Sequence, residues 1–410
     1  MQAEFFVKRP LPLLVAFLYK MLRNNLRVVT LGIVAALGLS KLIKHHNTSS
    51  STTGLTPRDM ENPIPAGLQP HEREVYAALL RLLPQRRQEG RKPPLIAVIS
   101  DLAKDYDDIG ALVVLKEANR LGLIRLTGYV ANLMPARERA RFARGALDSL
   151  GLQQIPVGCG LSAATKQHRA APYEFDTPFM APKGTSFEKG ELILLRACKQ
   201  AIQDNERITL LCISSLSDAS QFAEDYPDIF KQAIDRVVLQ GGYFEKDGML
   251  HADPAAANNK FDLPEAEKFH KFLYNAQIPT LVFTKWAAYA SGHGTDLFID
   301  LADTKHPVGE YLKMVQVKQD LNFYTTACQP DPNKRQMPQL DQEWFLRNRS
   351  TWYDTPRTDD EKRPVGEEIL PYCRVIMYDA LAAIGAIGED ALQILNVLED
   401  GTPLAAQCIR

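Results

Sequence analysis

The stretch VISDLAKDYDDIGALVVL, Val98 to Leu115, places Asp101, Asp105, Asp107 and Asp108 directly after an apolar run. Carboxylates this close repel one another unless a cation or hydrogen-bond donors stand between them. Lys104 is the one lysine among them, and it cannot balance four charges. Two chemistries would account for the cluster. One or two of the acids could simply cap a helix, since amides and the helix dipole favour anions at an N-terminus. Capping needs a single carboxylate, however. Four at the end of a strand suit a hard cation such as Ca²⁺, which takes about 6 to 8 oxygens, or the hydroxyls of a sugar.

The elements that must position these acids follow from periodicity. Short apolar runs at 94–100, 123–132, 155–160, 208–215 and 236–242 predict strands. Amphipathic stretches at 107–122, with Gly122 as its stop, 135–151, 192–204 and 217–233 predict helices, with a long loop over 161–188. A further helix is expected over about 71–90, after the Pro-rich TPRDMENPIPAGLQP. Strands this apolar are covered on both faces, which predicts an α/β fold with a mostly parallel open sheet and helices on each side. Ligands then bind outside the carboxyl ends of the strands, so chemistry belongs in the loops that follow them. The aspartates occupy the first of those loops.

With the strand ends placed, residues from about 95 to 400 resemble the inosine-uridine preferring nucleoside hydrolases, whose signature after the first strand is D-x-D-x-x-x-D-D. Asp101 falls on its first position, Asp107 on the ribose-binding Asp and Asp108 on the calcium-chelating Asp. Ala103 stands where that family has the Asp that chelates metal and acts as general base, so the resemblance implies that Asp105 or Asp101 replaces it. In YVAN, Asn132 falls on a ribose-contacting Asn. CISSLSD occupies the G-P-L-T-N loop, so that Ile213 would lend its carbonyl to the metal. RVVLQGGYF matches the strand ending in M-G-G. AANNKFDLPEA resembles E-F-N-x-x-x-D-P-E-A, with Asn259 on the ribose-binding Asn and Ala257 in place of the Glu. MYDALAAIGAI resembles H-D-P-L-A-V-A, placing Asp379 on the last calcium ligand and Tyr378 on the His that protonates the leaving base. Tyrosine is the weaker acid, with an ordinary pKa of about 10.

Read alone, Asn132 and Asn259 are turn or cap residues, Asp379 a helix N-cap and Tyr378 a core residue. Lys285 reads as a surface lysine, and Glu174 and His168 carry no assigned role. The resemblance implies hydrolysis of the N-glycosidic bond of a nucleoside or related ribosyl compound, water attacking C1′ at a calcium-assisted site. Loss of the carboxylate at Ala103 would weaken the metal. The alternative is a catalytically inactive relative that binds a ribosyl ligand as a sensor or scaffold.

Composition excludes other classes. The 410 residues are 45% hydrophobic and 24% charged with a formal net charge of -1, which is globular and argues against a nucleic-acid footprint. Small molecules are the expected partners, and a homo-oligomer is compatible with the chain. The six cysteines are scattered without a C-x-x-C pair, so neither a zinc site nor a disulfide framework is expected. Residues 1–58 carry eight Lys and Arg against the single acid Glu4 and end in a Ser/Thr cluster. Their two apolar runs are shorter than the roughly 20 residues of a spanning helix. The segment reads as a mitochondrial presequence, a short membrane anchor that would give the chain a membrane contact, or a partner-binding tail. The expected organisation is therefore 1–58 as targeting or anchor segment, 59–94 as Pro-rich linker and helix, and 95–410 as the nucleoside hydrolase-like domain.

Overall fold

The structure, a computed structural model, describes residues 70–163, 171, 173–246, 249–290, 294–356, 358, 361–395 and 397. The sheet is built from β1 (Leu95–Ser100), β2 (Arg125–Ala131), β3 (Val157–Cys159), β4 (Glu188–Lys189), β5 (Ile208–Ile213), β6 (Ile234–Gln240) and β9 (Thr280–Phe283). All are parallel, in the order β4-β3-β2-β1-β5-β6-β9. A separate antiparallel hairpin, β7 (Tyr243–Lys246) and β8 (Met249–Ala252), follows β6.

The central strand explains the layering. Every residue of LIAVIS is buried, and the side chains alternate between two cores. Ile96 and Val98 face one core with Leu112, Phe142 and Ile384, from α2 (Tyr106–Arg120), α3 (Ala136–Ser149) and α13 (Tyr378–Ile387). Leu95, Ala97 and Ile99 face the other with Leu194 of α4 (Gly190–Gln203), Phe222 of α5 (Ser217–Asp225), Phe230 of α6 (Pro227–Ala233) and Phe269 of α8 (Leu263–Asn275). The expected α/β fold with helices on both faces is therefore present. A small third core of Tyr324, Phe345 and Trp352 joins α11 (Pro307–Ala327) to α12 (Gln342–Asn348) and the segment that follows it.

Two elements differ from expectation. The helix expected over 217–233 is two, α5 and α6, because Pro227 has no N–H to continue the first and is well suited to start the second. The loop over 161–188 ends in the two-residue edge strand β4, too short to leave a period. Within that loop the chain lies directly on α3: a Cβ on Gly145 would stand 1.7 Å from the Phe179 carbonyl oxygen.

The first described helix, α1 (Pro70–Gln88), docks on the sheet domain. Tyr76 donates to Glu117 Oε1 at 3.0 Å, and Arg86 clamps Asp390 through Nε and Nη2 at 2.8 and 2.6 Å while also donating to the Leu123 and Ile387 carbonyls. Cys198, Cys212 and Cys373 are buried free thiols, Cys159 is half-buried and free, and Cys328 is free and exposed; Cys408 lies outside the described residues. Among the described residues no helix is long and apolar enough to cross a membrane, and residues 1–58 fall outside them.

Candidate functional site

Register lines up the strand ends. Ser100 pairs with Ala131 on one side and Ile213 on the other, so Asp101, Asn132 and the Ile213 carbonyl meet at the carboxyl edge of the sheet. After Asp101 the chain turns sharply. Lys104 N donates to Asp101 O at 3.0 Å, and Ala103 takes a φ of +80°, a left-handed conformation that costs an alanine roughly 1 kcal/mol. Helix α2 then begins at Tyr106 with Asp107 and Asp108 in its first turn.

The cluster is not a set of caps. Asp105 sits at the N-cap position, yet its side chain makes no capping hydrogen bond. Its Oδ1 accepts instead from Gln319 Nε2 of α11, and its Oδ2 pairs with the Lys104 ammonium. Gln319 Oε1 in turn accepts from Tyr106 N at 3.4 Å, which supplies the cap from outside the segment. Carboxylate oxygens of Asp105, Asp107 and Asp108 all lie within 4.8 Å of one another. Ser100 Oγ donates to Asp108 Oδ1 at 2.8 Å, while the buried Asp108 Oδ2 and Asp101 Oδ2 have no hydrogen-bond partner.

Asp379 joins them from the first turn of α13, buried, with Met377 and not Asp379 at the N-cap position. Crowding shows in the proton affinities. Burial, then the charge of Asp105, pushes Asp107 up to about 7. Burial holds Asp108 and Asp379 well above the usual carboxylate range, reinforced by Asp101 and Asp107 in the first case and by Asp107 and Asp108 in the second. Lys104 responds in the opposite sense: burial pulls its ammonium down, but Asp105, Asp101 and Asp108 together outweigh it and hold it well above the ordinary lysine value.

The other expected site residues are placed less uniformly. Asn132 is fully buried with its amide spent inside the protein: Nδ2 donates to Asp218 Oδ2 at 2.9 Å and Ser215 O at 3.0 Å, and Oδ1 accepts from Ser214 Oγ at 2.5 Å. Asn259, in the short α7 (Ala257–Lys260), donates to the carbonyls of Gly242 and Asp253 at 2.8 and 3.0 Å, and its buried Oδ1 has no hydrogen-bond partner. Two residues on, the Phe261 ring lies 5.5 Å from Lys104 Nζ, which brings this segment to the acidic cluster. Ala257 and Lys285 are exposed, the latter over the Trp286 ring. The Tyr378 ring packs edge-on to Tyr289 at 6.1 Å, and burial pushes its phenol up, away from easy proton donation. His168 lies outside the described residues.

Three side chains carried no signal in the sequence. Arg139 of α3 is wholly buried and grips the turn, Nη1 donating to the carbonyls of Asp101 and Leu102 at 3.0 and 3.2 Å and Nη2 to Glu174 Oε2 at 3.0 Å. Glu174 thereby acquires a structural role. Asp218, pushed up to about 6 by burial, accepts from Asn132 and from Leu161 N. Arg349 is buried behind Tyr378, its Nη2 3.4 Å from the Tyr106 hydroxyl and 3.9 Å from Asp320 Oδ1. An isolated arginine in RNRS, or in RERARFARG, has no periodicity or spacing that separates it from a surface residue.

No family model and no curated protein matches the chain. Solved structures do. The type III effector XopQ, crystallised with adenosine diphosphate ribose, aligns with a TM-score of 0.65 and 22% identity over 80% of this chain and 88% of its own. The effector XOO4466 aligns with a TM-score of 0.67 at the same identity and coverage. A plant nucleoside hydrolase aligns at a TM-score of 0.48 and 14% identity over 72% of this chain and 79% of its own. At such identities the likeness is one of fold.

Whether the side chains suit a hard cation is decided by the donors present. Asp105, Asp107 and Asp108 converge, two buried carboxylate oxygens lack a donor, and Asp379 raises the local charge further. That set is all oxygen and suits a cation such as Ca²⁺. The Ala103 side chain contributes no oxygen.

Proposed function

We propose that the chain is an N-glycosyl hydrolase acting on a nucleoside or related ribosyl compound at the carboxyl edge of its sheet. The convergence of the Asp105, Asp107 and Asp108 carboxylates within 4.8 Å carries this reading, because it offers the Asp105 carboxylate as a stand-in for the acid that the family resemblance expects at Ala103. Asp108 and Asp379, with the Ile213 carbonyl at the strand end, are the proposed cation ligands, and Asp105 or Asp101 the replacement carboxylate. A bound Ca²⁺ would supply a more acidic water and a grip on the ribose diol.

The residues divide the remaining work. Asp107 and Asn259 face the ribose hydroxyls, the orphaned Asn259 Oδ1 being an acceptor without a donor in the folded chain. Asn132, also expected to touch ribose, is committed to Asp218 and the two serines, so its part is to hold the loops after β2 and β5 together. Asp105 takes the proton of the attacking water once its Lys104 partner releases it. Tyr378 is the proposed donor to the leaving base. Arg349, a fixed positive charge near its phenol, favours the tyrosinate and so eases that transfer against the burial that opposes it.

A second reading, that the chain binds a ribosyl ligand without cleaving it, is favoured by the Lys104–Asp105 ion pair, which occupies the candidate base. The ADP-ribose in the XopQ complex supports a ribosyl ligand under either reading. Incubating purified protein with inosine, uridine and ADP-ribose, with and without Ca²⁺, and measuring the free base released separates them. Under the first reading Asp105→Asn lowers turnover by about 10²- to 10⁴-fold, as loss of a general base does. Ribosyl binding by calorimetry with no base released leaves the binding reading; neither binding nor release overturns both.

A further inference from the structure

We propose that Lys104 is a tethered counter-ion of the acidic cleft, which a divalent cation must displace in order to bind. This rests on the cation reading above and adds a device that regulates that same site.

The ammonium is seated inside the cluster. It pairs with Asp105, stands 3.6 Å from Asp101 Oδ2, and lies 5.5 Å from the centre of the Phe261 ring. Its place is set by the backbone: the left-handed Ala103 and the Lys104 N to Asp101 O hydrogen bond turn residue 104 back over the strand end. Asp105 is also one of the three carboxylates whose oxygens converge. A divalent ion would therefore share the Asp105 carboxylate with the ammonium, and two cations sharing these acids repel each other.

The exchange is built to be reversible. One ammonium cannot pair with Asp101, Asp105, Asp107, Asp108 and Asp379 together, and the buried Asp108 Oδ2 remains without a donor, so the cleft keeps oxygens for a cation with Lys104 in place. The lysine side chain is 19% exposed, and its flexible four-carbon stem gives the ammonium a route to solvent. Asp105 keeps its hold on Gln319 in either state, so the carboxylate stays where the incoming ion needs it. The ion-free protein is therefore a folded state with its own internal cation.

Calorimetric titration of Ca²⁺ into the parent and Lys104→Gln tests this. Removing the competing charge should tighten Ca²⁺ binding about ten- to hundredfold. Chelator should lower the melting temperature of Lys104→Gln and leave that of the parent unchanged. Lys104→Arg, which keeps the charge, should bind as weakly as the parent. Equal Ca²⁺ affinity in all three proteins overturns the counter-ion proposal and leaves the cation reading standing; no Ca²⁺ binding by any of them overturns both. A measurement on the parent covers the case in which Lys104→Gln does not fold: the ¹⁵N ammonium resonance of Lys104, assigned by its loss in Lys104→Arg, should shift as Ca²⁺ is added. A resonance that stays in place while Ca²⁺ binds refutes displacement.

Discussion

Replacing Arg139 by methionine should cost about 3–5 kcal/mol of folding stability, the range for breaking a buried ion pair from one side. The guanidinium is fully buried and donates to three backbone carbonyls, those of Asp101, Leu102 and Met134, as well as to Glu174 Oε2. Methionine fills much of the same volume, so little of the loss is cavity. What remains is electrostatic: Glu174, itself 3% exposed, would be left charged without its guanidinium, and each carbonyl would lose a charged donor worth about 1.5–3 kcal/mol before relaxation. Set against a typical total stability of about 5–15 kcal/mol, the loss should be plain in urea denaturation. Glu174→Gln keeps one acceptor oxygen for Arg139 while its amide NH2 replaces the oxygen that accepts from Ala171 N, and it should cost less than Arg139→Met. The double variant should be less destabilised than the sum of the singles by about 1.5–3 kcal/mol. A cost below about 1 kcal/mol for Arg139→Met, or additivity of the pair, would refute this account of the turn. Cation affinity gives an independent check: Arg139→Met should weaken Ca²⁺ binding because Asp101 loses its backbone anchor, whereas Glu174→Gln should leave it nearly intact.

Ala103→Asp should raise Ca²⁺ affinity and create or increase hydrolysis of inosine or uridine, since aspartate tolerates the left-handed φ of +80° better than alanine does; parent-like affinity and turnover would count against the site as drawn. Asp218 binds its proton more tightly when folded, about 6 against 3.8 when unfolded, so its contribution to stability is full below 3.8 and is lost as pH rises through about 6. Asp218→Asn should flatten that part of the stability profile, and a slope equal to the parent's between about pH 4 and about pH 6 would refute it. Deleting residues 1–58 should leave a soluble chain with an unchanged cooperative melt, whereas deletion through residue 90 removes Tyr76 and Arg86 and should lower the melt markedly; a reporter fused to residues 1–58 should leave the cytosol.

Much of the fold was legible because its signals are local. LIAVIS and ITLLCI are buried throughout and RLTGYVA over Gly128–Ala131, and such strands announce themselves as apolar runs. Other elements were silent for equally local reasons. β4 is two residues long, so no alternation exists to detect. The break between α5 and α6 was written in Pro227, but the apolar period continues through Phe222, Phe230 and Ala233, and a helical period with a proline inside is compatible with a kink as well as with a break. Glycine 145 allows the Phe179 segment to lie on α3, a contact between residues whose sequence separation hides it.

The site was legible as a place and less so as a set of roles. A parallel strand has a direction, so Asp101, Asn132, Ile213 and the aspartates of α2 could be assigned to one edge before any contact was known. Where each side chain then points depends on partners far along the chain: Gln319 for Asp105, Asp218 for Asn132, Arg349 for Tyr106 and Tyr378. Ala103 shows how the two levels join. Alanine at a φ of +80° is unfavourable on its own and persists where surrounding structure over-determines the backbone. Arg139 supplies that constraint, holding the carbonyls of the two preceding residues, while the Lys104 amide closes the turn on Asp101. The same strained turn places the Lys104 ammonium among the carboxylates. The left-handed turn at Ala103 and the seated cation at Lys104 therefore belong to one backbone geometry. A variant that relaxes the turn should change the charge balance of the cleft as well as its stability.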